Sequence, residues 1–484
     1  MDVLLINPPQ HLERASDDSD TFMGAIEPLG LLYLAGALLK AGFEVAVLDA
    51  LPEGSSTEEI LAKAEALQPL VVGLTGVTSN GHVLFHLGKA LRARLPGAKV
   101  VFGNLHASFF HEFYLKNGCA DFIFHGEAEE SLAKAVRMLK QGRNPLGIPG
   151  VTGMDNGRVC GNPEPQYMMD LDLLPIPARH LVPMEKYGDF QTSNNLFVSR
   201  KGEKTRFMFS SRGCIYDCTF CVCHDDRRFR VRSSRNVVDE MEELKTRYDT
   251  AHINFLDSVF VGKKERVFEL CKEIKERRLN ISFVIEGHVN LVSPEMLRAL
   301  KEAGCYGVYF GLESGNDEVL RTVRKGFRVQ RVRESIRWTR EAGLKAAAYF
   351  MLGMPGETVK SMQDTVDLAL SLPLDLAQFS IMVPYPGSEI YETLSQNNRF
   401  PSPENREETL ALWERFSPHP AFSGKDPVYV PEGLAAEQVI AFQKRAIRSY
   451  YLRPREFFRY LRRLNRRNVF KMARAFTKIM TGKK

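Results

Sequence analysis

The sequence has no apolar run of the roughly 18 to 20 residues that a bilayer crossing needs, and its longest candidate, Leu29 to Leu39, is about half that length. It has no internal repeat and no low-complexity tract. Cysteine is sparse, eight residues in 484, and the opening MDVLLIN reads as a strand from its second residue, so no secretory leader is expected. These absences exclude a membrane span. They also argue against a disulfide scaffold, because a cytoplasmic chain keeps its thiols reduced and clustered cysteines there bind metal or do chemistry. Acids are nearly missing from one place. From Ile440 to Lys484 there are fifteen Lys and Arg against a single Glu456, a charge of +14 in a chain whose total is +6, so the remainder carries −8.

What is present reads as a soluble α/β protein. Hydrophobic residues make up 44% and charged residues 26%, and 484 residues exceed one ordinary core, so two or three domains are expected. Apolar runs alternate with amphipathic segments, the grammar of parallel α/β architecture. DVLLIN, EVAVLD, LVVGLTG, KVVFGN and ADFIFHGE give five strands separated by helical patterns, a doubly wound Rossmann-like domain over residues 1–145. Ligands of such sheets lie beyond the C-terminal strand ends, here INPPQH, TGVTSN, GNLHAS and HGEAEE. A Pro- and Gly-rich passage beginning near Gly142 predicts a linker over residues 146–204. Six further strand candidates follow: TRFMFSSRG, HINFLD, ISFVIEG, YGVYFGLES, KAAAYFMLG and LAQFSIMVP. They predict a partial (β/α)6 barrel over residues 205–400, with its site where strands end, and a helical region over 401–484.

Four of the eight cysteines fall together in SSRGCIYDCTFCVCHD, where Cys214, Cys218 and Cys221 give C-x-x-x-C-x-x-C directly after a strand. Thiolates ligate iron–sulfur clusters and tetrahedral zinc. Zinc would take a fourth ligand from Cys223 or His224, but such sites pair two ligand groups from separate segments, and no second CxxC occurs. Three thiolates fit a 4Fe–4S cluster with one iron left open.

The stretch CIYDCTFC, with Phe220 before the third cysteine, resembles the cluster loop of the radical S-adenosylmethionine (SAM) superfamily. YFGLESG resembles that family's fourth strand, which implies that Glu313 and Ser314 approach SAM. FMLGMPGET resembles the fifth-strand motif, with Gly353 and Gly356 allowing close approach of the adenosyl group. FLDSVF places Asp257 at the second strand's end. NPP, PLGLLYLAGALLKAGFEVAVLDA, FGNLHASFF and FIFHGEAEESL are similar to the cobalamin-binding domain that precedes the barrel in one large branch of the superfamily, and the resemblance runs from about Asp2 to Arg455. It implies three cofactors: a 4Fe–4S cluster on Cys214, Cys218 and Cys221, SAM, and cobalamin seated near Thr75, Thr78, Ser79, Gly103, Asn104, His106, Gly126 and Glu127. Two departures stand out. No D-x-H-x-x-G occurs, so none of His11, His82 and His106 is marked as a cobalt ligand, which implies five-coordinate or water-ligated cobalt. Gly103-Asn104 replaces a common Gly-Gly pair, and Asn tolerates unusual backbone angles.

The resemblance implies radical methylation of an unactivated carbon: reductive SAM cleavage gives a 5′-deoxyadenosyl radical, which takes hydrogen from the substrate, and the substrate radical takes a methyl group from methylcobalamin. It implies a small-molecule or lipid substrate and a flavodoxin- or ferredoxin-type electron donor. The alternative within the class is cyclisation, oxidation or rearrangement of a tetrapyrrole, lipid or natural-product scaffold. A tRNA methylthiolating enzyme would need three further cysteines in its N-terminal domain, where only Cys119 and Cys160 occur, and a non-catalytic corrinoid carrier would not need the cluster loop. Cys271 and Cys305 read as core. The basic tail from about Pro454 carries Phe457, Phe458, Leu461, Leu464, Phe470, Ala473, Phe476 and Met480 at roughly helical spacing. It suits a helix packed on the barrel, or one lying on anionic lipid at the inner membrane face; nucleic acid fits less well, because no RNA-binding fold accompanies it.

Overall fold

The computed structural model describes residues 1–10, 26–187, 204–224, 228–401, 404–420 and 424–454. His11 and the basic tail beyond residue 454 lie outside them. The chain forms two compact units, Met1–Ser193 with Tyr391–Glu414, and Asn194–Ile390 with Arg415–Lys484.

In the first unit, β1 (Val3–Asn7), β2 (Val45–Asp49), β3 (Val71–Leu74), β4 (Lys99–Phe102) and β5 (Phe122–Phe124) are parallel, in the order β2-β1-β3-β4-β5. Runs such as VLLI and VVGL are buried throughout because helices cover both faces of such a sheet. The order reverses between β1 and β3, so the crevice at their C-terminal ends is the expected ligand position. Local signals agree with the fold. Helix Thr57–Leu67 opens on a capping box in which Ser56 Oγ accepts the Glu59 amide and Glu59 returns the bond to the Ser56 amide. Gly42, at φ +83°, follows helix Leu29–Lys40.

The stretch read as a linker departs from that expectation. It supplies β6 (Val151–Asp155) and β7 (Arg158–Gly161), which extend the sheet antiparallel from β5. Asn156 and Gly157 turn the hairpin at φ +47° and +75°, the left-handed pair that a tight two-residue turn needs. Asn-Gly between two short strands was the signal for it, outweighed in the sequence by the surrounding prolines and glycines.

The second unit holds β8 (Lys204–Met208), β9 (Ser211–Arg212), β10 (Arg230–Val231), β11 (Thr250–Phe255), β12 (Ser282–Gly287), β13 (Cys305–Glu313), β14 (Lys345–Leu352) and β15 (Leu376–Ile381). Six of these make one parallel sheet in the order β15-β14-β13-β12-β11-β8, and β9 pairs antiparallel with β10. This is the partial barrel read from the strand spacing. The main core lies between one sheet face and the helices, joining Ile253, Phe283, Ile285, Phe310 and Phe350 to Val267, Leu297, Ile336 and Val366. Helix Ala436–Tyr451 closes the last strand. Gln443 donates to the Phe379 carbonyl at 2.9 Å, and Tyr451 to that of Ala377 at 2.7 Å.

Candidate cofactor sites at the strand ends

The cysteine loop is braced from below by Asp257. Its carboxylate, 1% exposed, accepts the Ser210 amide at 2.9 Å, the Ser210 hydroxyl at 3.0 Å and the Ser211 hydroxyl, while Arg266 donates to the Ser210 carbonyl at 3.0 Å. Burial pushes this acid above the usual carboxylate range, with Arg266 and the two serines opposing. The strand-end position anticipated a cofactor contact, whereas the geometry commits Asp257 to the turn that aims the loop.

Gly213, at φ +80°, then releases the chain into the loop. The Thr219 amide donates to the Val323 carbonyl at 3.2 Å, the Cys221 amide to the Cys218 carbonyl at 3.0 Å, and the Tyr216 ring stacks on His288 at 3.8 Å. Cys214, Cys218 and Cys221 are unbridged. Burial pushes the Cys214 and Cys218 thiols up, and neighbouring thiols add to it; the bond with Cys223 and then burial do the same to Cys221. Three crowded thiolates therefore need a cation to hold them. Among the described residues, no three His, Cys, Asp or Glu side chains gather as ligands of a single metal ion. A cubane instead spreads its three thiolates over three irons, so this donor set fits a 4Fe–4S cluster better than a closed zinc site.

Lys325, which no sequence motif marked, is a buried cation beside this loop. It is 8% exposed, donates to Glu313 Oε1 at 2.8 Å, and lies 5.5 Å from the Phe220 ring centroid. Burial opposes its charge, but Glu313 and the thiols of Cys218 and Cys221 outweigh that and hold it above the ordinary lysine range. Glu313 sits at φ +60°, where β13 slips its register against β14. Ser314 is fully buried and meets Thr365 Oγ1 at 3.2 Å, so it fastens the strand end to helix Val359–Ser371. In the fifth-strand motif, Gly353 and Gly356 both take φ +78°. The turn is pinned by Glu357, missed in the sequence, which accepts the Gly353 and Met354 amides at 2.7 and 3.0 Å; burial pushes its carboxyl up to about 7. A Cβ on Gly356 would meet nothing within 4 Å, which leaves open the approach that its missing side chain allows.

In the first unit, Thr75, Gly103 and Asn104 come together at the ends of β3 and β4. Asn104 Nδ2 donates to Thr75 Oγ1 at 3.4 Å, and Asn104 takes φ +79°, as its tolerance for that region allows. Gly103 is extended, and a Cβ there would touch nothing within 4 Å, so packing within this unit does not demand a glycine. Exposed Val77, Leu105 and Phe109 lie in the same strand-end segments. An open glycine, amide and hydroxyl donors and uncovered apolar side chains fit a broad, amide-rimmed ring such as a corrin. Ser79 is half-buried in the same turn, Thr78–Asn80, where Thr78 is buried.

Other expected members turn elsewhere. His106 is 3% exposed under Phe110, Tyr114 and Trp413, with Nε2 2.7 Å from Tyr114 Oη, and burial lowers it to about 3. It is a neutral core imidazole. His82 is likewise buried. Glu127 accepts the Met168 amide at 2.7 Å, and a Cβ on Gly126 would lie 2.5 Å from the Gln166 carbonyl, so both residues hold the passage that follows β7.

The comparisons with known proteins follow the same division. Residues 19–136 match the model of the B12 binding domain, and residues 208–369 match that of the radical SAM superfamily. The chain is 30% identical over 460 residues to an uncharacterized methyltransferase of Pyrococcus horikoshii, covering 94% of this chain and 93% of that one. It is 26% identical to the anaerobic magnesium-protoporphyrin IX monomethyl ester cyclase of Rubrivivax gelatinosus, over 81% of this chain and 70% of that one. In fold it is similar to the radical SAM methyltransferase TsrM of Kitasatospora setae, solved with cobalamin and a 4Fe–4S cluster bound, at TM-score 0.67, 21% identity, and 82% and 78% coverage. The chain belongs to the radical SAM enzymes that carry an N-terminal B12-binding domain.

Proposed function

We propose that this radical SAM enzyme methylates an unactivated carbon of a small-molecule or lipid substrate. The observation that carries the reading is the pairing, in one chain, of an intact three-thiol loop at the end of β8 with an open glycine seat at the end of β4. When bound, the cluster and SAM supply a 5′-deoxyadenosyl radical and the corrinoid supplies the methyl group. The protein's own part is to hold and to shield. Cys214, Cys218 and Cys221 would hold the cluster, Lys325 and Glu313 present one cation and one carboxylate to the polar end of SAM, and Gly353 and Gly356 let its adenosyl group lie against backbone. Thr75, Gly103 and Asn104 would seat the corrin rim, with Leu105 and Val77 on its apolar side.

The test is anaerobic reconstitution with iron, sulfide and hydroxocobalamin, then turnover with methyl-labelled SAM and a one-electron donor of flavodoxin or ferredoxin type. About four irons and one corrinoid per chain, with label in a product, are expected. Release of 5′-deoxyadenosine without label transfer would sink methylation and favour cyclisation, oxidation or rearrangement. The basic tail is proposed to hold the chain on anionic lipid. Full-length protein should float with anionic liposomes and a truncation after Leu452 should not; equal recovery of both in the soluble fraction would end that proposal.

A further inference from the structure

The sheet of the second unit has a second face, opposite its main core, and that face carries the polar pair Glu286 and Tyr349. Alternation along β12 sends Phe283 and Ile285 into the helix-facing core and leaves Val284 and Glu286 on the other side. Tyr309 lies opposite Glu286 in register, and Val284, Tyr309, Ala347 and Leu376 form a separate small apolar cluster there, edged by Tyr349. Tyr349 donates its hydroxyl to Glu286 Oε1 at 3.1 Å, and the Tyr309 and Tyr349 rings lie nearly parallel at 5.8 Å. Two positions lower on the same face, Asn254 stands in register with Val284. It is 2% exposed, and its Nδ2 has no hydrogen-bond partner.

Each of these features is costly without a ligand. A buried amide donor left unpaired costs on the order of 1–3 kcal/mol. A carboxyl beside Asp257 and Glu313, with Lys325 as the nearby cation, is in poor company for an anion, and burial above all pushes Glu286 up to about 8. A carboxyl that keeps its proton has one O–H donor, and with Tyr349 filling Oε1 that donor is available to another oxygen.

We propose that Glu286, Tyr349 and Asn254 form a substrate subsite that recognises an uncharged oxygen function, a hydroxyl or carbonyl, on an apolar skeleton beside the half-buried Tyr349 ring. This rests on the proposed function and deepens it, because it names the substrate class: a neutral oxygenated ring or chain. The face lies on the strands whose ends carry Glu313 and Gly353.

The test uses reconstituted holoenzyme with SAM and no reductant, so that binding is read without turnover. Three probes share one skeleton: indole-3-ethanol, the hydrocarbon analogue 3-ethylindole, and indole-3-acetate. Saturation-transfer NMR titrations should show the alcohol binding about fivefold more tightly than the hydrocarbon, the worth of one net hydrogen bond, with the acetate weakest. Glu286→Leu and Tyr349→Phe should each erase most of the alcohol's advantage, while Glu286→Gln, which keeps a donor, should retain it. Equal binding of alcohol and hydrocarbon, no binding of any probe, or an advantage that survives Glu286→Leu in a folded protein would overturn the proposal. If methyl transfer fails with every substrate while the alcohol preference and its loss in the variants stand, the functional reading is at fault and not the subsite.

Discussion

Lys325 and Glu313 form a buried ion pair, 2.8 Å from Nζ to Oε1, folded over a glycine that cannot be replaced without moving them. A Cβ on Gly311 would lie 2.5 Å from Glu313 Oε1 and 3.0 Å from Lys325 Nζ. Removing one partner of such a pair leaves the other charge buried and uncompensated, a loss of about 3–5 kcal/mol. Lys325→Met should therefore lower the melting temperature clearly, and the double variant Lys325→Met with Glu313→Leu should recover a large part of it. Equal melting of the single and double variants would show that the pair is not coupled.

Glycines separate packing from ligand access. Gly315→Ala would drive a Cβ to 2.2 Å from the Asp364 carbonyl, a backbone atom that cannot swing aside, so the unloaded protein should melt lower. Gly103→Leu meets open space in extended backbone and should leave the unloaded protein's melting unchanged. The same substitution should sharply reduce the corrinoid retained after gel filtration. A loss of stability in Gly103→Leu, with corrinoid unchanged, would remove Gly103 from the seat.

Replacement of Cys214, Cys218 or Cys221 by Ala should each abolish the bound iron, and the visible absorption of protein reconstituted with iron and sulfide alone. Cys223→Ala should keep about four irons per chain. The Cys223 amide points at Cys221 Sγ, at 3.4 Å, and that contact survives the substitution. Iron loss in Cys223→Ala equal to that in Cys221→Ala would make it a ligand.

Asp49 makes stability depend on pH in an unusual direction. It is 1% exposed, accepts from Tyr187 Oη at 2.6 Å and from Asn7 Nδ2 at 2.9 Å, and burial pushes it up to about 6. Between an unfolded value near 4 and that value, the folded chain holds a proton that the unfolded chain has released, so stability falls as pH rises through the window, by up to about 3 kcal/mol. Asp49→Asn removes the titration and keeps an acceptor for Tyr187. Its melting temperature should gain on wild type at pH 8 relative to pH 4.5; a constant difference across that range would assign the pH dependence to other groups.

The sequence by itself determined the parallel strands of both sheets and the cluster loop, but not the antiparallel hairpin β6–β7. Each is written locally: a strand buried on both faces reads as a continuous apolar run, and here the three thiols lie a few residues apart on a turn that a glycine permits. Tertiary structure alone decided which polar side chains meet. Glu286 and Tyr349 are 63 residues apart, and Trp413 covers His106 from a segment that returns to the first unit after the whole barrel has been built. Sheet register and helix packing create those pairs, and neither is encoded in the spacing of the residues that use them. For the same reason Asp257, His106 and Glu127, which stand where ligands were expected, prove to be fastened to Ser210, Tyr114 and Met168: a polar residue at a strand end can face a ligand or brace a turn, and only its neighbours in space decide which.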